Sequence, residues 1–137
     1  MDDDIKASIK REEGLRLESY PDSRGLLTIG YGHLLVHGST IPIEAAELIF
    51  EADYALAVNG YDSLALTLDS ARRGAVIDMI FNMGIAGVKK FKRFLLYLKA
   101  ANWHAAASEL MDSAYAGQVP NRAKRNRDKI LYGSEPS

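Results

Sequence analysis

Three oxygen-bearing side chains stand close together near the start of the chain: Glu13 before a glycine, Asp22 in a Pro-Asp turn, and Thr28 in a short run of β-formers. Hydrolysis of a glycosidic bond needs one carboxyl group to protonate the leaving oxygen and a second carboxylate either to activate water or to attack the sugar. Glu13 and Asp22 could be that pair. Nine residues of reversing chain can hold two carboxyls at the roughly 5 to 10 Å such chemistry uses, although spacing along the chain does not set the distance. By type and spacing alone, the same residues read more simply as a solvated helix-end acid, an ordinary turn aspartate and a strand former.

The elements that would carry them follow from periodicity. Residues 4–13 predict a short amphipathic helix, with Asp4 as N-cap, Ile5 and Ile9 one turn apart, and Gly14 just past the end. From Glu18 to Val36 the pattern shifts to Gly, Pro and β-formers, which predicts a small, tightly turned sheet. Helical spacing returns from Ile41 to Val58, with Pro42 in the first turn, an apolar stripe of Ala45, Ile49, Ala52 and Leu56, and Asn59-Gly60 as the stop. A further helix runs from its cap at Asp69 to Met83 and closes at Gly84; others are expected over 87–99, 103–112 and 120–132, the last with Pro120 in its first turn and Gly133 at its end. The final Gly-Ser-Glu-Pro-Ser is expected to fray. No internal repeat or low-complexity segment interrupts this order of helix, small sheet and helices.

Composition bounds the rest. The chain has 137 residues, 47% hydrophobic and 26% charged, and therefore suits one globular domain that buries a core without staples. With no cysteine, thiol catalysis, disulfide frameworks, zinc ribbons and iron-sulfur clusters are excluded together. No apolar run reaches the roughly 18 to 20 residues of a membrane span, and the charged stretch from Met1 to Arg11 is unlike a signal peptide, which predicts synthesis in the cytosol. The net charge of −1 hides an asymmetry: residues 1–70 carry −8 and residues 71–137 carry +7. A surface facing an anionic partner, nucleic acid or a cell-wall polymer, is the expectation.

Glu13, Asp22 and Thr28, together with the flanking Glu-Gly-Leu-Arg-Leu, Tyr-x-Asp and Thr-Ile-Gly-x-Gly-His-Leu-Leu elements, resemble the bacteriophage-type lysozyme family, glycoside hydrolase family 24. The likeness extends to Leu68–Arg73, Phe81–Gly84 and Pro120–Arg125, and so across nearly the whole chain. Relative to the longest members, residues 34–66 are shortened, and Tyr115-Ala116-Gly117 replaces a Trp-Tyr-Asn run.

The resemblance implies an α+β two-lobe lysozyme fold as one domain over 1–137: a small lobe with a short antiparallel sheet (about 14–60, including an inter-lobe helix), a mostly helical lobe (1–13 plus 61–133), and a glycan cleft between them. It implies an inverting muramidase that cleaves the β-1,4 bond between N-acetylmuramic acid and N-acetylglucosamine, with Glu13 as proton donor and Asp22 and Thr28 orienting water. A catalytically silent peptidoglycan-binding module of the same fold is the alternative. Leu34, Phe81, Asn82 and Tyr115 are the implied substrate contacts. Arg122 is implied to pair with Glu13, and His33 with Asp53 as a structural ion pair. The family further implies a monomeric endolysin made in the host cytoplasm and reaching the wall through a holin-made lesion.

Residue by residue, other chemistry is poorly supported. His33 and His37 are four apart in a glycine-punctuated region without a third ligand, so no metal or cofactor is expected. Lys89, Lys90, Lys92 and Arg93, interleaved with Phe91, Phe94 and Leu95, read as the solvated face of an amphipathic helix. The basic run after Pro120 accompanies no nucleic-acid motif, and no nucleic-acid partner is expected. Periodicity alone makes Phe81 a core residue, whereas the resemblance makes it a cleft residue.

Overall fold

Seven helices and one small sheet form in chain order in a computed structural model that describes residues 2–134. They fall into two units, Met1–Ala45 and Ala46–Ser137. In the first, α1 (Asp2–Glu13) leads into β1 (Arg16–Pro21), β2 (Leu27–Gly30) and β3 (His33–Leu34). Asp2, Asp3 and Asp4 crowd the first turn of α1 and Lys10 and Arg11 the last, charges that complement the helix dipole at both ends. Asp4 is thus inside the first turn and is not the cap expected of it, because two further acids extend the helix backwards.

The three strands form an antiparallel sheet in the order β1-β2-β3. Tyr20 pairs with Thr28 and Arg16 with Gly30, so Leu17, Glu18 and Ser19 of β1 stand against Ile29 alone of β2 and the strand bulges there. Thr28 in turn pairs with Leu34, and Ile29 with His33.

The second unit holds most of α2 (Ile43–Ser63) and all of α3 (Ser70–Lys89), α4 (Lys92–Lys99), α5 (Trp103–Met111), α6 (Ala114–Gln118) and α7 (Pro120–Tyr132). Helix α7 packs against α3, α5 and α6, and α4 against α5. Met79, Phe94, Leu98, Leu110 and Ile130 are the largest apolar side chains shut away in the core between them.

Several boundaries differ from expectation. Helix α2 continues through Asn59-Gly60 to Ser63, and its buried face is Ala57, Gly60 and Tyr61, while Ile49 and Leu56 of the expected stripe are exposed. Gly60 acts here as a small residue: a Cβ would stand 3.1 Å from the Ile85 Cβ, so tertiary packing outweighs its poor helix propensity. Gly84, at φ +81, breaks the helical path as expected, and a short helical stretch resumes beyond it up to Lys89. The expected 87–99 helix is in fact divided at Lys90-Phe91. Lys89, Lys90, Lys92 and Arg93 are solvated as expected, with Phe94 buried. Helix α6 went unforeseen, since five residues are too few to display a 3.6-residue period.

Asp69 caps α3 as predicted, accepting from the Arg72 amide at 3.3 Å. It also accepts from the Ser134 amide at 2.9 Å, while the Ala71 amide donates to the Ser134 hydroxyl at 2.6 Å. Gly133 and Ser134 are therefore tied down and do not fray; the rest of the expected tail, Glu135 to Ser137, lies outside the described residues. Partial burial works against ionisation of Asp69, but the amides of Arg72 and Ser134, reinforced by the Arg72 guanidinium and the Ser134 hydroxyl, hold its carboxyl at about 2. A folded-state pKa below the ordinary 3.8 means stability that is present above that value and lost as pH falls towards 2. Its size is about 2 kcal/mol. In chemical melts, Asp69→Asn should therefore lose about 2 kcal/mol less than wild type between pH 5 and pH 2; parallel losses would mean that Asp69 carries no such linkage.

Candidate active site

Glu13 is the last residue of α1, and Gly14, at φ +73, turns the chain out of the helix while its amide closes onto the Lys10 carbonyl at 2.8 Å. The Glu13 carboxylate lies against the β2–β3 turn: a Cβ built on Gly32 would stand 2.6 Å from its Oε2 and 3.0 Å from its Cδ. One helical turn earlier, the Lys10 ammonium sits 5.2 Å from the centre of the Tyr31 ring.

Asp22 follows β1 in the hairpin turn. Its amide donates to the Leu26 carbonyl at 2.8 Å, and its Oδ1 accepts from the amides of Arg24 (2.8 Å) and Leu26 (2.9 Å). Oδ2 faces the mobile end of Arg24 at 3.8 Å. The Leu26 amide foremost, then the amide and charge of Arg24, outweigh desolvation and lower the carboxyl's pKa from the ordinary value. Asp22 is in this way held ionised, with one oxygen fixed by the backbone and the other available.

Thr28, only 2% exposed, is buried on β2, where its hydroxyl donates to the Leu26 carbonyl at 2.8 Å. That commits the proton and leaves the Oγ1 lone pairs as acceptors. Tyr20 pairs with Thr28, and Asp22 lies two residues beyond Tyr20, so Thr28 and Asp22 are diagonal neighbours on one face of the hairpin. Residues in that diagonal relation lie about 7–8 Å apart, Cβ to Cβ somewhat less. Leu34, half-buried, is the partner of Thr28 on β3, and His33 is exposed opposite Ile29.

In the helical unit the expected residues divide differently. Phe81 is 39% exposed and packs against Phe50 with the rings tilted at 43° and centroids 5.5 Å apart, so the core reading of Phe81 fails. Phe81 and Arg122 line one hollow of about 460 Å³, together with Phe50, Tyr54 and Asp78. Asn82 is exposed beside them on α3, and Asp53 is exposed on α2. Tyr115, expected to touch substrate, is 3% exposed and its hydroxyl accepts from Asn126 at 2.9 Å, so its ring belongs to the core.

Arg122 grips Asp78 in a two-pronged pair, Nε to Oδ2 and Nη2 to Oδ1, both at 2.8 Å. These two donors are committed within the helical unit, where the resemblance assigned them to Glu13. The buried Asn126 adds a third bond to Asp78 at 2.8 Å. The Arg122 fork first, then Asn126, outweighs burial and lowers the Asp78 carboxyl's pKa, and Asp78 in return raises that of Arg122.

Sequence reasoning missed Asp78, Asn126 and Gly32. Asn126 was within reach, four residues after Arg122 on the same face of α7. Asp78 lies 44 residues from its partner, and Gly32 reads as one turn glycine among several. Among the described residues no helix is long and apolar enough to cross a membrane, and no group of three or more His, Asp or Glu is placed to hold a metal ion.

Residues 10–129 match the family model described as phage lysozyme. "Probable T4-type lysozyme 2" of Dictyostelium discoideum is 31% identical over 152 residues, covering 88% of this chain and 89% of that protein. The endolysin of Salmonella phage P22 is 31% identical over 134 residues, covering 90% and 91%. The pre-baseplate central spike protein Gp5 of Enterobacteria phage T4 is 30% identical over 156 residues, 92% of this chain but 27% of that protein. With a small antiparallel sheet near the N-terminus, a helical remainder and a match along most of its length, the chain belongs to the phage lysozyme family.

Proposed function

We propose that this protein is a lysozyme that hydrolyses the β-1,4 bond between N-acetylmuramic acid and N-acetylglucosamine in peptidoglycan with inversion at the anomeric carbon. Its role is that of a monomeric endolysin, one lysozyme domain over 1–137, made in the host cytoplasm and released to the wall through a holin-made lesion. Glu13 donates a proton to the leaving glycosidic oxygen. A water held on the opposite face of the sugar gives one proton to Oδ2 of Asp22 and directs its other towards Oγ1 of Thr28, so its lone pair faces the anomeric carbon. The C–O bond to the leaving sugar breaks as the bond to water forms, and the two carboxyls return to their starting states by exchange with solvent.

The observation that carries this reading is the state of the Asp22–Thr28 pair. One oxygen of Asp22 is pinned by two amides and the Thr28 proton is spent on Leu26, so two acceptors of defined position remain on one hairpin face. Such a pair suits a water with two protons to place. A nucleophilic carboxylate would instead have to reach the sugar carbon directly.

NMR of the first product separates the two. Inversion of a β-linkage yields the α-anomer of the new reducing sugar before mutarotation; the β-anomer would remove the water-holding role of Asp22 and Thr28.

A further inference from the structure

We infer that Gly32 is a positioning residue for the proton donor Glu13: by having no Cβ, it lets the carboxylate rest against the β2–β3 turn. This inference rests on the hydrolase reading proposed above. Five glycines among residues 14–38 have positive φ: Gly14, Gly25, Gly30, Gly32 and Gly38. A Cβ at the other four would meet nothing within 4 Å, whereas at Gly32 it would meet the Glu13 carboxylate, at 2.6 Å from Oε2. Real Cβ contacts do not come that close, so any side chain at 32 must move the acid.

A second contact beside it holds the same parts together. Lys10, one turn back on α1, lies over the ring of Tyr31, the residue before Gly32. The last turn of α1 thus leans on the β2–β3 turn at two successive positions. Glu13 is otherwise exposed on a side chain with three rotatable bonds, and proton transfer loses efficiency steeply when the donor is misplaced by about 1 Å. Gly32 supplies the surface that narrows where the acid can stand, and β2, which carries Thr28, runs directly into that turn.

Strain and steric displacement can be told apart, because Gly30→Ala imposes nearly the same positive φ (+71 against +78) in the same turn with open space around its Cβ. Both variants should lower the melting temperature by about 4–8 °C through backbone strain. Gly32→Ala should melt within a few degrees of Gly30→Ala, because what its Cβ displaces is the far end of the exposed Glu13 side chain, which can swing aside. At matched folded fraction, Gly32→Ala should lose at least about 30-fold in kcat on peptidoglycan with KM within about threefold, while Gly30→Ala stays within about threefold in both.

Equal kcat in the two single variants would overturn the inference. A wild-type protein that does not cleave peptidoglycan would overturn it through the hydrolase reading beneath it and leave only the packing contact.

Discussion

Glu13→Gln should abolish the clearing of a peptidoglycan suspension, lowering kcat by about 10²–10⁴-fold, the usual worth of a positioned proton donor. The amide keeps the size and shape of the carboxyl but cannot donate a carboxylic proton. Glu13 is exposed at a helix end, so the fold should survive and the melting temperature stay within a few degrees. Asp22→Asn should cost as much for a different reason: the side-chain oxygen can still accept from the Arg24 and Leu26 amides and preserve the turn, but the base is gone. Because those amides lower the Asp22 pKa below 3.8, the base stays ionised to more acid pH than a free aspartate would. The acid limb of the kcat/KM profile that reports Asp22 should therefore fall below 3.8. Folded variants that clear at the wild-type rate would remove both roles, and would favour a protein of this family that grips glycan without cutting it.

The second large effect concerns stability. Arg72, buried under the C-terminal end of α7, donates its Nε to the Ile130 carbonyl at 2.7 Å and its Nη2 to the Leu131 carbonyl at 3.2 Å. Its Nη1 pairs with Asp69 at 3.0 Å, and its guanidinium lies 3.8 Å from the centre of the Trp103 ring. One side chain thus satisfies carbonyls at the end of α7, braces the cap of α3 and stacks on the start of α5. Arg72→Ala should cost about 3–5 kcal/mol, because it takes the charged partner from Asp69 and leaves two helix-end carbonyls without their donor at once. That corresponds to a fall in melting temperature of about 10–20 °C. Arg72→Lys should recover only a minor part, since a point charge cannot serve three acceptors at fork geometry. Thermal melts followed by circular dichroism decide it; a loss under about 1 kcal/mol would mean the fork contributes little beyond what water supplies. Glycine at 133 belongs to the same junction, because a Cβ there would stand 2.5 Å from Nη1 of Arg72. Effects at Asp69 and Arg72 should not add, since each removes the other's partner.

Much of the fold was legible because its signals are local. The Asp69 cap, the breaks at Gly84 and Gly133, Pro120 at the start of α7 and the glycine-punctuated sheet each depend on a few neighbouring residues, and all formed. In several places where expectation failed, a distant partner had decided. Gly60 looked like a helix stop until Ile80 and Ile85 required a small residue inside α2. Ser134 looked like the start of a loose tail until Asp69 and Ala71, more than sixty residues away, bound it. Phe81, core by periodicity alone, is exposed for the same reason: periodicity reports which face of a helix is apolar, not which neighbour arrives to cover it; Tyr115, which the resemblance put against substrate, is buried.

The sequence by itself determined where Glu13, Asp22 and Thr28 stand locally, on a helix end and a short hairpin whose turns the intervening residues specify. A hairpin is settled by its own backbone pairing, so the shared face of Asp22 and Thr28 follows from adjacent residues. Only the tertiary structure decided what each charge meets. The two-pronged Arg122–Asp78 pair, Arg72 under the end of α7 and the Glu13 carboxylate against Gly32 are contacts made through space, and sequence separation carries no information about them.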